Sequence, residues 1–336
     1  MKTLQVNNLK YLYDKRSTDG VNDISFELES ASSLALIGPS GSGKSTTLRL
    51  IKGLLSPHSG EINSFGNGIG FVAQHTDLNE KQTVFEFLDK ELNYLQDKEK
   101  QENQIRATLS TLQITNEIHS KISSISGGQR QRVVIAQALV HSPKILLLDE
   151  AFGHLDQVLR FDLMRELFSI FKEKEISTLW VTHDTNEAMA FSDRIMVMNY
   201  GKLIQIDLPQ TLYNCPKNLF IAKFIGIKNI VITKTLLTKE TELTIKIFNK
   251  KVSIDRKHHA PNNELVIFFR NDAIKFDEKG AFKGKIQESF YYGSYAWYKL
   301  KVGEQTIWLK ADAGLNKDTV VNFSVDFDLA HFSNEL

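Results

Sequence analysis

The sequence predicts an α/β domain with a largely parallel sheet, followed by a smaller all-β domain. Three observations predict it. Short apolar runs alternate with amphipathic segments through the first two thirds of the chain, the pattern of strands interleaved with helices. A glycine-rich turn at residues 38–46 separates an apolar run from a helical pattern. After Gly226 the texture changes to short alternating stretches.

Taken in order, residues 4–6 and 24–28 read as strands flanking a polar turn at 15–20, and 33–37 as a short buried strand. Residues 46–55 form a helix that Pro57 and Gly60 stop. A strand at 70–74 follows. Apolar spacing predicts helices over 83–95 and 102–112, with many charges between. Next come helix 129–140, a fully buried strand 144–148, helix 155–172, strand 177–182, helix 186–191 and strand 194–198. Beyond residue 230 the strands are 243–248, 265–269, 295–300, 306–309 and 320–325. The expected division is 1–227 and 228–336, with a helical subdomain at about 77–139 inside the first part.

Composition narrows the function classes. The 336 residues carry a net charge of +1 with 42% hydrophobic residues, which excludes a disordered chain. A single cysteine, Cys215, excludes a disulfide framework and fits a reducing compartment. Near-neutral charge argues against bulk electrostatic affinity for nucleic acid or anionic membrane. No apolar run approaches the roughly 18–20 residues that span a bilayer, and the first fifteen residues lack the apolar core of a secretory signal.

Gly38-Pro39-Ser40-Gly41-Ser42-Gly43-Lys44-Ser45-Thr46 fits the phosphate-loop pattern G-x-x-x-x-G-K-[ST] between a strand and a helix. Glycines let successive N–H groups turn inward around phosphates, and the helix N-terminus adds its dipole. Lys44 would neutralise the β- and γ-phosphates, and the Ser45 hydroxyl would ligate Mg²⁺. The plain alternative is a Gly/Ser surface turn. Average composition makes a chance match roughly 1% in a chain of this length, so the phosphate reading prevails.

Residues 145–150, ILLLDE, form a hydrophobic strand ending in two carboxylates. Asp149 would reach the Mg²⁺ shell, and Glu150 would polarise water beside the γ-phosphate. His183 ends another buried strand, where an imidazole could reach the γ-phosphate; a satisfied strand-end histidine is the blander reading. Gln74 ends strand 70–74 and could reach the metal or the attacking water. The other eight histidines show no metal-ligand spacing, and His258-His259 reads as a solvated pair.

Ser126-Gly127-Gly128-Gln129 opens helix 129–140 and can present a hydroxyl and backbone N–H groups as a second anion site. One nucleotide needs one cradle, so a second cradle points to a nucleotide held by a partner subunit. From residue 4 to about 226 the sequence resembles an ABC-transporter ATPase subunit. It has the phosphate loop at 38–46, a Q-loop at Gln74, the signature at 126–129, the Walker B strand at 145–150, a D-loop at 153–156 and an H-loop at His183.

The resemblance implies a P-loop NTPase ABC cassette with a helical subdomain that hydrolyses ATP with Mg²⁺. It implies catalytic roles for Glu150, His183, Gln74 and Lys44, and metal ligation by Ser45, Gln74 and Asp149. It implies nucleotide contacts from residues 38–46, Gln74, Ser126, Gly127, Gly128, Gln129, Asp156 and Tyr13, whose ring would stack on adenine. Residues 182–193, 199–205 and 220–226 look like the subfamily powering binding-protein-dependent importers of sugars, polyamines and ferric iron, whose C-terminal domain is TOBE-like, close to an OB fold. Residues 265–272, 284–298 and 325–332 look like that domain.

The implied partners are a second ATPase subunit (identical or paralogous), integral-membrane permease subunits and, indirectly, an extracytoplasmic binding protein, with no nucleic acid. The implied location is the cytoplasmic face of the membrane, held peripherally. The rival reading is a soluble ABC ATPase acting on a nucleic-acid or ribosomal partner. Such proteins usually carry two cassettes or a long coiled-coil insertion, and this chain has neither. It also departs from the family pattern. Ala73 stands for the usual Phe, residues 77–83 lack a Phe-Pro pair, Gln137 replaces a common Arg and Ala151 a common Pro. Gly153-His154 stands for Ser-Ala.

Overall fold

A computed structural model describes residues 1–14, 19–66, 68–238, 242–248, 250–255 and 264–333. Most of the predicted turn at 15–20 and the His258-His259 pair lie outside these residues. The first part runs β1 (Lys2–Leu12), β2 (Gly20–Glu29), β3 (Ser33–Ile37), α1 (Lys44–Lys52), β4 (Ser59–Ser64), β5 (Ile69–Val72), α2 (Val84–Asp89), α3 (Lys98–Thr111), α4 (Gly127–Leu139) and β6 (Ile145–Asp149). It continues with α5 (Gln157–Glu173), β7 (Ser177–Val181), α6 (Thr185–Phe191), β8 (Arg194–Asn199) and β9 (Lys202–Asp207).

Among the described residues the main sheet has the order β5-β6-β7-β3-β8-β9, parallel except for β9. Every residue of β6 and β7 is buried, as a parallel strand covered on both faces requires. A second, antiparallel sheet of order β2-β1-β4 shares its core with the main sheet, where Leu4, Leu9 and Ile24 pack with Leu36, Leu147 and Met196. Parallel strands place their C-terminal ends on one edge. The segments leaving β3, β5, β6 and β7 therefore open side by side.

Several elements differ from the sequence reading for local reasons. Helix α1 stops at Gly53 rather than near Pro57, because Gly53 takes a left-handed φ of 81° and caps the Arg49 and Leu50 carbonyls. The helix predicted over 83–95 is only α2 plus one 3-10 turn at Lys90–Leu92. The Gln101 amide donates to the Leu92 and Leu95 carbonyls and so ends that segment. Helix α3 starts at Lys98, earlier than predicted, because Asp97 caps the Glu99 and Lys100 N–H groups. Strands β4 and β9 were not predicted; both lack buried alternation, being defined by pairing with β1 and β8 alone.

The chain divides by compactness into Met1–Pro209 and Gln210–Leu336. The division expected at 227/228 follows the change of texture after Gly226. Between the two positions lie most of α7 (Pro209–Asn214) and the whole of α8 (Leu219–Phe224). The β-rich part continues with β10 (Asn229–Thr238), β11 (Glu242–Ile247), β12 (Lys250–Asp255), β13 (Glu264–Phe269), β14 (Ile274–Phe276), β15 (Phe282–Tyr291), β16 (Tyr295–Val302), β17 (Gln305–Asp312), β18 (Val320–Val325) and β19 (Ala330–Ser333). Strands β14-β17-β16-β15-β18 close into a barrel, the small OB/TOBE-like domain, and β12-β11-β10-β13-β19 form a sheet. Tyr298 is buried in the barrel core; its hydroxyl donates to the Asp312 carbonyl and accepts from the Gly314 and Leu315 N–H groups. Among the described residues no helix is long and apolar enough to cross a membrane.

Candidate functional site

The loop from β3 to α1 is built around glycines that nothing else could replace. Gly38 has φ 153° and a Cβ there would meet the Met198 carbonyl oxygen at 2.2 Å; Gly43 has φ 97° and its Cβ would meet the Gly20 carbonyl oxygen at 2.3 Å. Backbone contact on both sides therefore locks the loop. Within it Lys44 is buried, 7% exposed as a residue, and its ammonium donates to the Gly38 and Pro39 carbonyls at 2.9 Å each. Among the described residues the buried Ser42 hydroxyl has no hydrogen-bond partner. A loop-held cation beside an orphaned hydroxyl fits a phosphate ligand.

The Ser45 hydroxyl donates to Asp149 Oδ1 at 2.8 Å, bringing the end of β6 to the start of α1. Asp149 is 2% exposed, and its pKa is raised, chiefly because burial penalises the charged form. Burial likewise lowers the pKa of Lys44, against the opposing pull of Glu150 and Asp149. With its pKa raised, Asp149 holds its proton to higher pH in the folded protein than in the unfolded chain. This group alone therefore makes the nucleotide-free protein less stable as pH rises through the folded pKa. Asp149→Asn is accordingly expected to raise the Tm of the nucleotide-free protein by about 2–4 °C, as a gain of about 1 kcal/mol would in a domain of this size. Differential scanning calorimetry at neutral pH checks it, and a lowered Tm contradicts it.

Gln74, Glu150 and His183 follow β5, β6 and β7, neighbours in the sheet. Their side chains meet: Gln74 Nε2 donates to Glu150 Oε2 at 3.0 Å, and His183 Nδ1 lies 4.0 Å from the same oxygen. Glu150 sits at φ 48°, a strained conformation of the kind found at functional sites. Tyr13 donates to or accepts from the Thr46 hydroxyl at 3.3 Å. Its ring stands edge-on to the Tyr11 ring, and the residue is 54% exposed.

The side-chain hydrogen bonds of Ser126, Gln129 and Asp156 are local ones. Ser126 and Gln129 form a reciprocal capping box at the start of α4, with Gln129 Nε2 also donating to Glu117. A Cβ on Gly127 would touch the Leu155 side chain at 3.6 Å, so this signature glycine packs beside the D-loop. Asp156 caps α5 through the Leu159 N–H. None of the hydrogen bonds of Ser126, Gln129 or Asp156 among the described residues reaches 38–46.

Sequence reasoning missed two features. A chain of hydrogen bonds, buried at Thr182 and part-buried at Arg160, runs from Thr182 (Oγ1 donating to Glu187 Oε2 at 2.5 Å) through Glu187 to Arg160 at 3.2 Å, tying the residue before His183 to α5. The signal was an acidic residue on the apolar face of 186–191. The other is His154, noted only as a departure, whose Nε2 lies 3.1 Å from the Gln74 carbonyl.

Residues 21–153 match the family described as ABC transporter. The chain is 31% identical over 327 residues to the spermidine/putrescine import ATP-binding protein PotA of Borreliella afzelii, covering 94% of this chain and 93% of that protein. It is 42% identical over 226 residues to the sulfate/thiosulfate import ATP-binding protein CysA of Synechococcus elongatus, covering 64% and 66%. Among solved structures, cbiO1 of Clostridium perfringens, part of the ABC transporter complex cbiONQ, superposes with a TM-score of 0.57 at 26% identity, over 63% of this chain and 90% of that one. The likeness to the first relative extends through the β-rich region as well as the cassette, and the chain belongs to the ATP-binding subunits of ABC importers, which hydrolyse ATP to drive transport.

Proposed function

We propose that two copies of this subunit, or this chain and a paralogue, close head to tail on two ATP molecules. Each ATP lies between residues 38–46 of one copy and Ser126–Gln129 of the other. The observation that carries this reading is the meeting of Gln74, Glu150 and His183 at one mouth of the sheet, beside Lys44 and the Ser45–Asp149 pair. Lys44 moves its ammonium from the loop carbonyls to phosphate oxygens. Glu150 orients the attacking water, and His183 lies beside the γ-phosphate. Ser126 and the amides after it complete the anion site from the other copy, and Asp156 belongs to the same closed interface. The exposed face of Tyr13 stacks on adenine.

A hydroxyl and a buried carboxylate 2.8 Å apart are hard oxygen donors that fit Mg²⁺, with the Gln74 amide as a further ligand. The ion supplies charge neutralisation on phosphate oxygens when bound. Positioning and charge stabilisation, not covalent chemistry, then drive hydrolysis, so an open single copy turns over slowly.

The subunit works at the cytoplasmic face of the membrane, with residues about 77–125 docking on the permease; the division at 227/228 separates the motor from an accessory β domain. The import reading takes precedence over a nucleic-acid or ribosomal one because relatives matching along nearly the whole chain are named as import subunits. Those relatives also favour polyamines as cargo. Vesicles carrying this subunit with its own permease and binding protein are expected to take up labelled spermidine only with ATP on the subunit's side. ATP-driven uptake of sulfate without uptake of spermidine overturns the cargo assignment.

A further inference from the structure

The turn after β6 and the segment after β5 are joined by more than the Gln74–Glu150 hydrogen bond. Gly153 N–H donates to the Glu150 carbonyl at 3.1 Å, folding the turn back. That turn brings the His154 ring to the Gln74 backbone, where Nε2–H donates to the Gln74 carbonyl at 3.1 Å. The Gln74 side chain in turn donates to Glu150 at 3.0 Å. These bonds make a closed circuit that grips Gln74 at its backbone and its side chain. The His154 ring is itself held by the His75 ring, stacked at 5.4 Å between centroids and 28° between planes. Both imidazoles line a cleft of about 560 Å³ between the residues after Gln74 and the start of α4, facing Arg130 and Gln131.

A glutamine on an exposed loop samples several rotamers, and one side-chain hydrogen bond alone does not select among them. Gripping the backbone carbonyl fixes the peptide plane from which that side chain departs. The next residue's ring, His75, stacks on the ring that makes this contact. Among the described residues no hydrogen bond of this circuit reaches residues 38–46.

We propose that His154 is a positioning residue for ATP hydrolysis, holding the Gln74 main chain so that its amide stays on Glu150; the proposal rests on the assignment of Gln74 and Glu150 to the hydrolytic site. Both rings are exposed, so the effect is that of one net hydrogen bond rather than of a buried network. It falls on turnover more than on nucleotide affinity, because none of the circuit's hydrogen bonds reaches residues 38–46.

The test is steady-state ATP hydrolysis by the full chain, with equilibrium ATP binding and thermal melting measured on the same samples. His154→Phe keeps an aromatic ring against His75 and removes the donor; His154→Gln restores a donor without the ring. His154→Phe is expected to lower kcat about threefold to tenfold, the range of one net hydrogen bond, with KM for ATP unchanged within about twofold. His154→Gln is expected to recover most of the loss. Combining His154→Phe with Gln74→Ala is expected to cost no more than Gln74→Ala alone, since both remove one function. Parental turnover in His154→Phe, or a double loss equal to the product of the single losses, overturns the proposal. If Gln74→Ala and Glu150→Gln both turn over like the parent, the hydrolytic assignment beneath it fails instead.

Discussion

Replacing Lys44 by methionine is expected to weaken ATP binding about tenfold to a hundredfold, the range of a lost charge-assisted contact, and to remove hydrolysis with it. The lysine is nearly buried, and burial lowers its pKa, so in the nucleotide-free protein its charge is held at a cost. Two loop carbonyls meet only part of that cost. Triphosphate oxygens supply full opposing charge in the same place, so the cost of burial is recovered on binding. Methionine keeps the apolar stem and lacks the cation, which makes it a cleaner probe than alanine for the charge itself. The folded state should survive the change, because the variant removes a desolvated charge. Titration with a fluorescent ATP analogue reads the affinity, and binding as tight as the parent's removes Lys44 from the phosphate site.

What the sequence made legible was whatever lies contiguous along it. The loop at 38–46 and the strand at 145–150 each carry their chemistry in one stretch, bounded by an apolar run, so residue type and order suffice. Gln74 and Glu150 are 76 residues apart. Their contact depends on β5 and β6 being neighbours in the sheet, which alternation of strands and helices does not specify. The expectation that each reaches the nucleotide came from strand ends and family resemblance. Their hydrogen bond to each other came only with the fold. Strands β4 and β9 stayed hidden because their residues are polar or half-exposed on both faces, so no period of two marks them.

Helix boundaries failed where a distant side chain decides them. Gln101 ends the segment after α2 by taking the Leu92 and Leu95 carbonyls, and no propensity of residues 90–95 announces it. His154 is the sharpest case. In the sequence it stands out only as a departure from a family pattern, while its partner is a backbone carbonyl that carries no sequence signature at all.

The reaction assigned to this fold rests on one carboxylate. Glu150 is held at a strained φ, takes the Gln74 amide at 3.0 Å, and lies 4.0 Å from His183. Glu150→Gln preserves its size and removes its charge. Phosphate release by the purified full chain at saturating ATP, with ATP binding measured in parallel, is the direct test. The variant is expected to bind ATP as the parent does. It is expected to hydrolyse it at least tenfold more slowly, a barrier increase of about 1.4 kcal/mol or more. Parental turnover in Glu150→Gln would contradict the assignment of Glu150 as the residue that orients the attacking water.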